Sequence, residues 1–159
     1  VHARPRIAPR NSRRARRRRS RSGRRARAAI ARIAPELASF RYLRLTTFKR
    51  DGTPVATPVW FAADGDRLVV TSAAGAWKIK RLRREPRALG AGCDARGTPL
   101  GPTIELTGEV LDASQGAAIE AALDRRYGAS AIGFRLLSRV AGRGAREYLA
   151  LRPAELPEW

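Results

Sequence analysis

Residues 40–72 read FRYLRLTTFKRDGTPVATPVWFAADGDRLVVTS, and this stretch decides the fold. Apolar and polar side chains alternate along it, and the alternation is interrupted twice by Asp-Gly, at Asp51-Gly52 and Asp64-Gly65. Alternation with period two is the mark of a half-buried strand, and glycine supplies the positive φ that a tight hairpin turn needs. The stretch therefore predicts three antiparallel strands in a meander.

The next segment, TSAAGAWKIKRLRREP from Thr71 to Pro86, leaves the last of these strands through small residues and has no breaker between Gly75 and Pro86. It reads as strand, turn and short helix. On such a helix Ile79 and Leu82 form the inward seam, Lys78 and Arg81 share one flank, and Lys80 and Arg84 share the other. A strand-to-helix turn with nearby hydroxyls and a lysine suits an anion such as phosphate. A basic helix face is also what a purely solvated surface looks like, and both readings stand at this point.

Further on, RALGAGCDARGTPLGPTIELTGEVLD gives a strand over residues 87–94, a Gly/Pro-rich loop, and a strand over residues 103–111. SQGAAIEAALDRRYG predicts a helix with Ser114 as N-cap, Ile119 and Leu123 on one face and Gly128 as the stop. IGFRLLSRVAG suggests a second helix, and residues 147–151 a final strand. Upstream, Ile30, Ile33 and Leu37 mark a short amphipathic helix interrupted near Pro35. Consecutive strands early and long helices late make an α+β pattern of about six strands. With three Trp, three Tyr and four Phe in 159 residues, the expected core is a small aliphatic barrel.

Charge is unevenly placed. The net charge is +19, yet residues 1–27 hold thirteen of the 33 basic residues and no acid, so the rest of the chain is only mildly basic. Residues 1–27 read as a disordered Arg-rich tail and residues 28–159 as the folded domain. The tail suits nonspecific nucleic-acid contact through phosphate neutralisation, and it equally suits translation begun upstream of the functional start. Cys93 and His2 are single copies, which excludes an internal disulfide, a CxxC zinc site and a Ser-His-Asp triad, so no metal site is expected. No apolar run approaches the roughly 18 residues of a membrane span and no secretion-signal h-region follows the arginines, so the reading is cytoplasmic with no membrane partner.

Taken in order, DGTPVATPVWF, TSAAGAWKIKRLRREPRA, CDARGTPLG and ELTGEV resemble the split β-barrel flavin and deazaflavin binders of the pyridoxamine phosphate oxidase-like superfamily, and within it the actinobacterial F420-dependent oxidoreductases. The likeness runs from about Tyr42 to Leu151. It implies a six-stranded antiparallel split barrel with flanking helices, forming a homodimer with the cofactor at the subunit interface. It also implies hydride transfer between reduced coenzyme F420 and a small organic substrate, with FMN as the alternative cofactor and a non-catalytic F420-binding protein as the alternative role. By the same resemblance Lys78 is the principal phosphate cation, with Arg81 beside it, and Thr71 and Ser72 supply hydroxyls or N–H groups. Thr57, Pro58, Val59 and Trp60 lie along the ring system, Arg96 and Gly97 contribute from a loop, and Lys80 and Arg84 meet the glutamyl tail. Cofactor chemistry needs positioning and a dry pocket more than a catalytic side chain, so no catalytic residue is assigned.

Overall fold

The computed structural model describes residues 11–154 apart from Ala141 and Arg143. Helix α1 (Asn11–Ala38) leads into strands β1 (Tyr42–Phe48), β2 (Pro54–Val59), β3 (Phe61–Asp64) and β4 (Arg67–Ala73). Helix α2 (Trp77–Arg84), β5 (Arg87–Cys93) and β6 (Ile104–Leu111) follow, then α3 (Gly116–Tyr127), α4 (Ala129–Val140) and β7 (Arg146–Pro153). All strand pairs are antiparallel, in the order β2-β1-β5-β6-β7-β4-β3.

The two ends of that order, β2 and β3, are consecutive in the chain and separated by Trp60 alone. The expected second strand therefore divides: its first half pairs with β1, placing Leu45 opposite Thr57, and its second half pairs with β4, placing Phe61 opposite Val70. This turns six expected strands into seven and curls one sheet into a split barrel. Gly52 and Gly65 take φ of 85° and 64° at the two hairpin turns, as the Asp-Gly pairs require. The free edges are blunted: β2 carries Pro54 and Pro58, and β3 has four residues.

Inside the barrel, Leu43, Leu45, Val59, Leu68, Val70, Leu106, Leu149 and Leu151 form one largely aliphatic core with Phe61 as its aromatic member. Helix α2 packs against β1 and β6 and adds Ile79 and Leu82. Eight residues are too few to hold a helix alone, and burying those two side chains, worth about 1.5–3 kcal/mol each, is what fixes it. Its seat exists because β6 has no side chain at Gly108, where a Cβ would come within 2.8 Å of Leu82. A second, outer cluster of Ala62, Val69, Ile119, Ala122 and Leu123 lies under α3.

Two helix expectations change. The segment from Asn11 to Arg27 is helical and continuous with the amphipathic stretch, so α1 crosses the boundary expected at residues 27–28 and carries Pro35 in its last turn. Arginine and alanine are good helix formers, and Ile30 and Leu37, both buried in the barrel core, anchor the helix. The remaining ten residues of the expected disordered tail lie outside the described residues. The cap before α3 is Asp112, whose carboxylate accepts the Ser114 N–H at 2.8 Å and starts a 3-10 turn leading into the helix. Ser114 is not the cap.

Candidate anion site at the barrel mouth

Inward-facing positions of β1 run Leu43, Leu45, Thr47, and those of β4 run Leu68, Val70, Ser72. Each row ends in a hydroxyl. Among the described residues, Thr47 and Ser72 are the polar side chains in the buried set, at 1% and 4% exposure. A buried hydroxyl needs a partner. Helix α2 supplies both: Lys78 Nζ donates to Ser72 Oγ at 3.2 Å, and Arg81 Nε donates to Thr47 Oγ1 at 2.7 Å. The spacing of Lys78 and Arg81 on one flank thus becomes two cations at one end of the barrel.

Neither cation meets a carboxylate among the described residues. Burial pushes the Lys78 ammonium below the usual lysine range, and the neighbouring charges of Arg81 and Arg146 push it the same way. Arg81 is lowered too, first by burial and then by Arg84. Positive charge is crowded here, and Lys78 and Arg81 have no carboxylate partner among the described residues. An anion relieves both the burial cost and the mutual repulsion, so the donor set fits a phosphate.

Strand geometry separates the two β4 hydroxyls. Thr71 points to the opposite face from Ser72, toward α3, where Arg146 Nε donates to its Oγ1 at 2.7 Å and Glu120 lies 3.9 Å from Arg146. Arg146 was not singled out from sequence; it begins β7, and only the β4–β7 pairing, which sets it opposite Ala73, brings it near. Thr47 could have been found, because a hydroxyl ends an otherwise apolar inward row. Glu147 steadies the helix start: its carboxylate accepts the Gly75 N–H at 2.8 Å and also holds Arg83. Those contacts, the backbone N–H first, lower its pKa.

On the second flank, Lys80 lies over the Trp77 ring, 4.5 Å from its centroid, and Arg84 donates to the Phe48 carbonyl at 2.6 Å. Trp77 is 71% exposed beside the cations. Thr57 and Val59 share the inward face of β2, Thr57 one pleat deeper than the Val55–Thr47 pair. Pro58 faces the other way, and the Arg96–Gly97 turn sits against it, since a Cβ on Gly97 would be 3.5 Å from Pro58. Asp94 builds that turn by accepting N–H bonds from Arg96 and Thr98. Trp60 is turned onto the helices: it stacks on Tyr127 at 4.7 Å and meets Phe134 at 5.3 Å. Tyr127 is itself tied to the barrel through its hydroxyl, as a packed helix-end tyrosine, and Cys93 is buried with its thiol pKa raised by burial.

Among the described residues no group of His, Cys, Asp and Glu could hold a metal ion, and no helix is long and apolar enough to cross a membrane. A family profile described as pyridoxamine 5'-phosphate oxidase matches residues 29–159. No protein of curated function matches the chain in sequence. Solved structures share its fold, among them three from different bacteria. Against the conserved hypothetical protein Rv2991 of Mycobacterium tuberculosis, identity is 20%, coverage 81% of this chain and 89% of that one, and the TM-score 0.59. For the heme storage protein HutZ of Vibrio cholerae the figures are 15%, 77%, 89% and 0.55. A FAD-binding protein of Mesorhizobium loti gives 17%, 79%, 87% and 0.52.

Proposed function

The chain belongs to the pyridoxamine 5'-phosphate oxidase family, and from that premise we propose that it is an F420-dependent oxidoreductase whose cofactor phosphate is held at the mouth of the barrel. One observation carries the reading: Lys78 and Arg81 converge on buried hydroxyls with no carboxylate among the described residues to neutralise them. Heme and FAD appear in the names of the fold's other owners, so the fold alone does not choose a ligand, whereas a crowded cationic site favours a phosphate-bearing one. F420 carries a glutamyl tail as well as a phosphate, and Lys80 and Arg84 on the second flank of α2 supply cations beyond the two a single phosphate uses.

Bound, the coenzyme would supply a hydride donor and acceptor. Lys78, Arg81 and Ser72 would grip its phosphate, and Thr57 and Val59 would offer the inward face of β2 to its ring system. The apolar barrel behind Thr47 and Ser72 would keep water from the buried side. The substrate is a small organic molecule, and no side chain of the cluster needs to exchange a proton. We propose further that the working unit is a homodimer with cofactor between subunits. Trp77 beside the cations, and Ile132, Leu136 and Leu137 on α4, are exposed apolar side chains that a second copy would cover. Light scattering giving a monomer at micromolar concentration would remove this part.

The deciding experiment titrates the full chain separately with oxidised F420 and FMN, following the emission of Trp77 and Trp60. F420 should bind more tightly, and Lys78→Ala should weaken it by about 10- to 100-fold, the worth of one charge-assisted hydrogen bond. Tighter FMN binding would give the site to a flavin instead. Unchanged affinity in Lys78→Ala would overturn the phosphate assignment.

A further inference from the structure

Helix α1 is 28 residues long, about 42 Å at 1.5 Å per residue, and its C-terminal part packs into the barrel core. Ile30 and Leu37 are buried in the core, and the helix packs against β4 and β7. Before Ile30 the sequence changes character. Residues 13–27 hold ten arginines, and from Ser12 to Ala29 every other residue is Ala, Ser or Gly. Arg21, Arg24 and Arg27 are exposed, and no acid occurs before Glu36.

Three properties of this segment define its partner. Ten charges over about 22 Å of helix give one per roughly 2 Å, close to the one phosphate per about 1.7 Å of axis in duplex DNA. A helix about 10–12 Å across matches a B-form major groove about 12 Å wide. The absence of any apolar residue larger than alanine leaves nothing to insert into a bilayer interface, which an amphipathic membrane helix needs. We propose that the N-terminal half of α1 is a docking helix for the phosphate backbone of duplex DNA, fixed to the barrel through Ile30 and Leu37. Arginine and the undiscriminating serine hydroxyl are the base-reading side chains it offers, with no Asn, Gln, Asp or Glu between Ser12 and Pro35 to read adenine or cytosine, so binding is nonspecific in sequence.

Fluorescence anisotropy of the full chain with a labelled DNA duplex, over a range of salt, tests this. The logarithm of affinity should fall linearly with the logarithm of salt, with a slope of about −5 or steeper, and unrelated duplex sequences should bind alike. Replacing three exposed arginines together, Arg21→Gln, Arg24→Gln and Arg27→Gln, should flatten the slope by about 2 to 3. Removing the same charge elsewhere, by Lys49→Gln, Arg50→Gln and Arg125→Gln, should leave the slope in place. An unchanged slope in the first variant, equal flattening in the second, or tighter binding to anionic phospholipid vesicles or single-stranded RNA at the same salt would each overturn the proposal.

Discussion

Replacing Tyr127 by Phe should unfold the protein at a lower temperature by an amount that one hydroxyl sets. The Tyr127 Oη accepts the Phe61 N–H at 3.1 Å and lies 2.9 Å from the Arg41 carbonyl, to which it can donate. Phe61 is the first residue after the division of the barrel strand and is 2% exposed, so water cannot take over its N–H. A buried donor left without a partner costs about 1–3 kcal/mol, whereas the Arg41 carbonyl, next to an exposed residue, regains water. The stack on Trp60 survives in phenylalanine, so the substitution isolates the hydrogen bonds. For a chain of this length each kcal/mol moves Tm by about 2–4 °C, so calorimetry should show a fall of roughly 2–12 °C. Tyr127→Leu should fall further, by the additional ~0.5–1.5 kcal/mol that an aromatic pair contributes. A Tyr127→Phe variant with the Tm of the parent would refute the claim that this hydroxyl secures the division.

Three further outcomes are expected, two at Lys78 and one at Gly92. Because Lys78 is held below the lysine range, anion affinity should decline as pH rises through its lowered pKa, over the window below 10.5, and Lys78→Arg should abolish the decline. The sign for stability is opposite: the unfolded chain keeps that proton more tightly, so without anion the protein should gain stability as pH rises through the same window, which denaturant titrations at several pH values would show. Gly92→Ala would place a Cβ 2.1 Å from the Phe40 ring and should cost about 1–3 kcal/mol, part of it recovered by adding Phe40→Leu; a stability equal to the parent's would mean that the ring moves aside freely.

The two hairpins were legible because Asp-Gly fixes a turn locally and alternation fixes which side chains face inward. The division at Trp60 was not, because Val59 and Phe61 both face the core and the alternation runs through the break undisturbed. What changes there is the hydrogen-bonding partner, β1 before and β4 after, and that is decided by residues distant in sequence. The same limit separates the site residues. Ile79, Leu82, Lys78 and Arg81 followed from helical spacing within eight residues, while Arg146 arrives through strand pairing from the far end of the domain. The resemblance set Thr71 beside Ser72 at the phosphate, by hydroxyl or N–H group, and strand alternation turns their two side chains to opposite faces. Asp112 was passed over because the turn before α3 starts two residues earlier than the first good capping serine suggests.

The prolines of β2 and the brevity of β3 bear on how the chain behaves when crowded. A sheet edge recruits a stranger's strand when it presents several evenly spaced donors and acceptors, and amyloid-like growth begins from such edges. Here one edge is missing two amide protons, at Pro54 and Pro58, and the other offers four residues. A polymerising partner would find too little ladder to extend. Protection against fibrillation is thus built into the very strands whose separation opens the barrel.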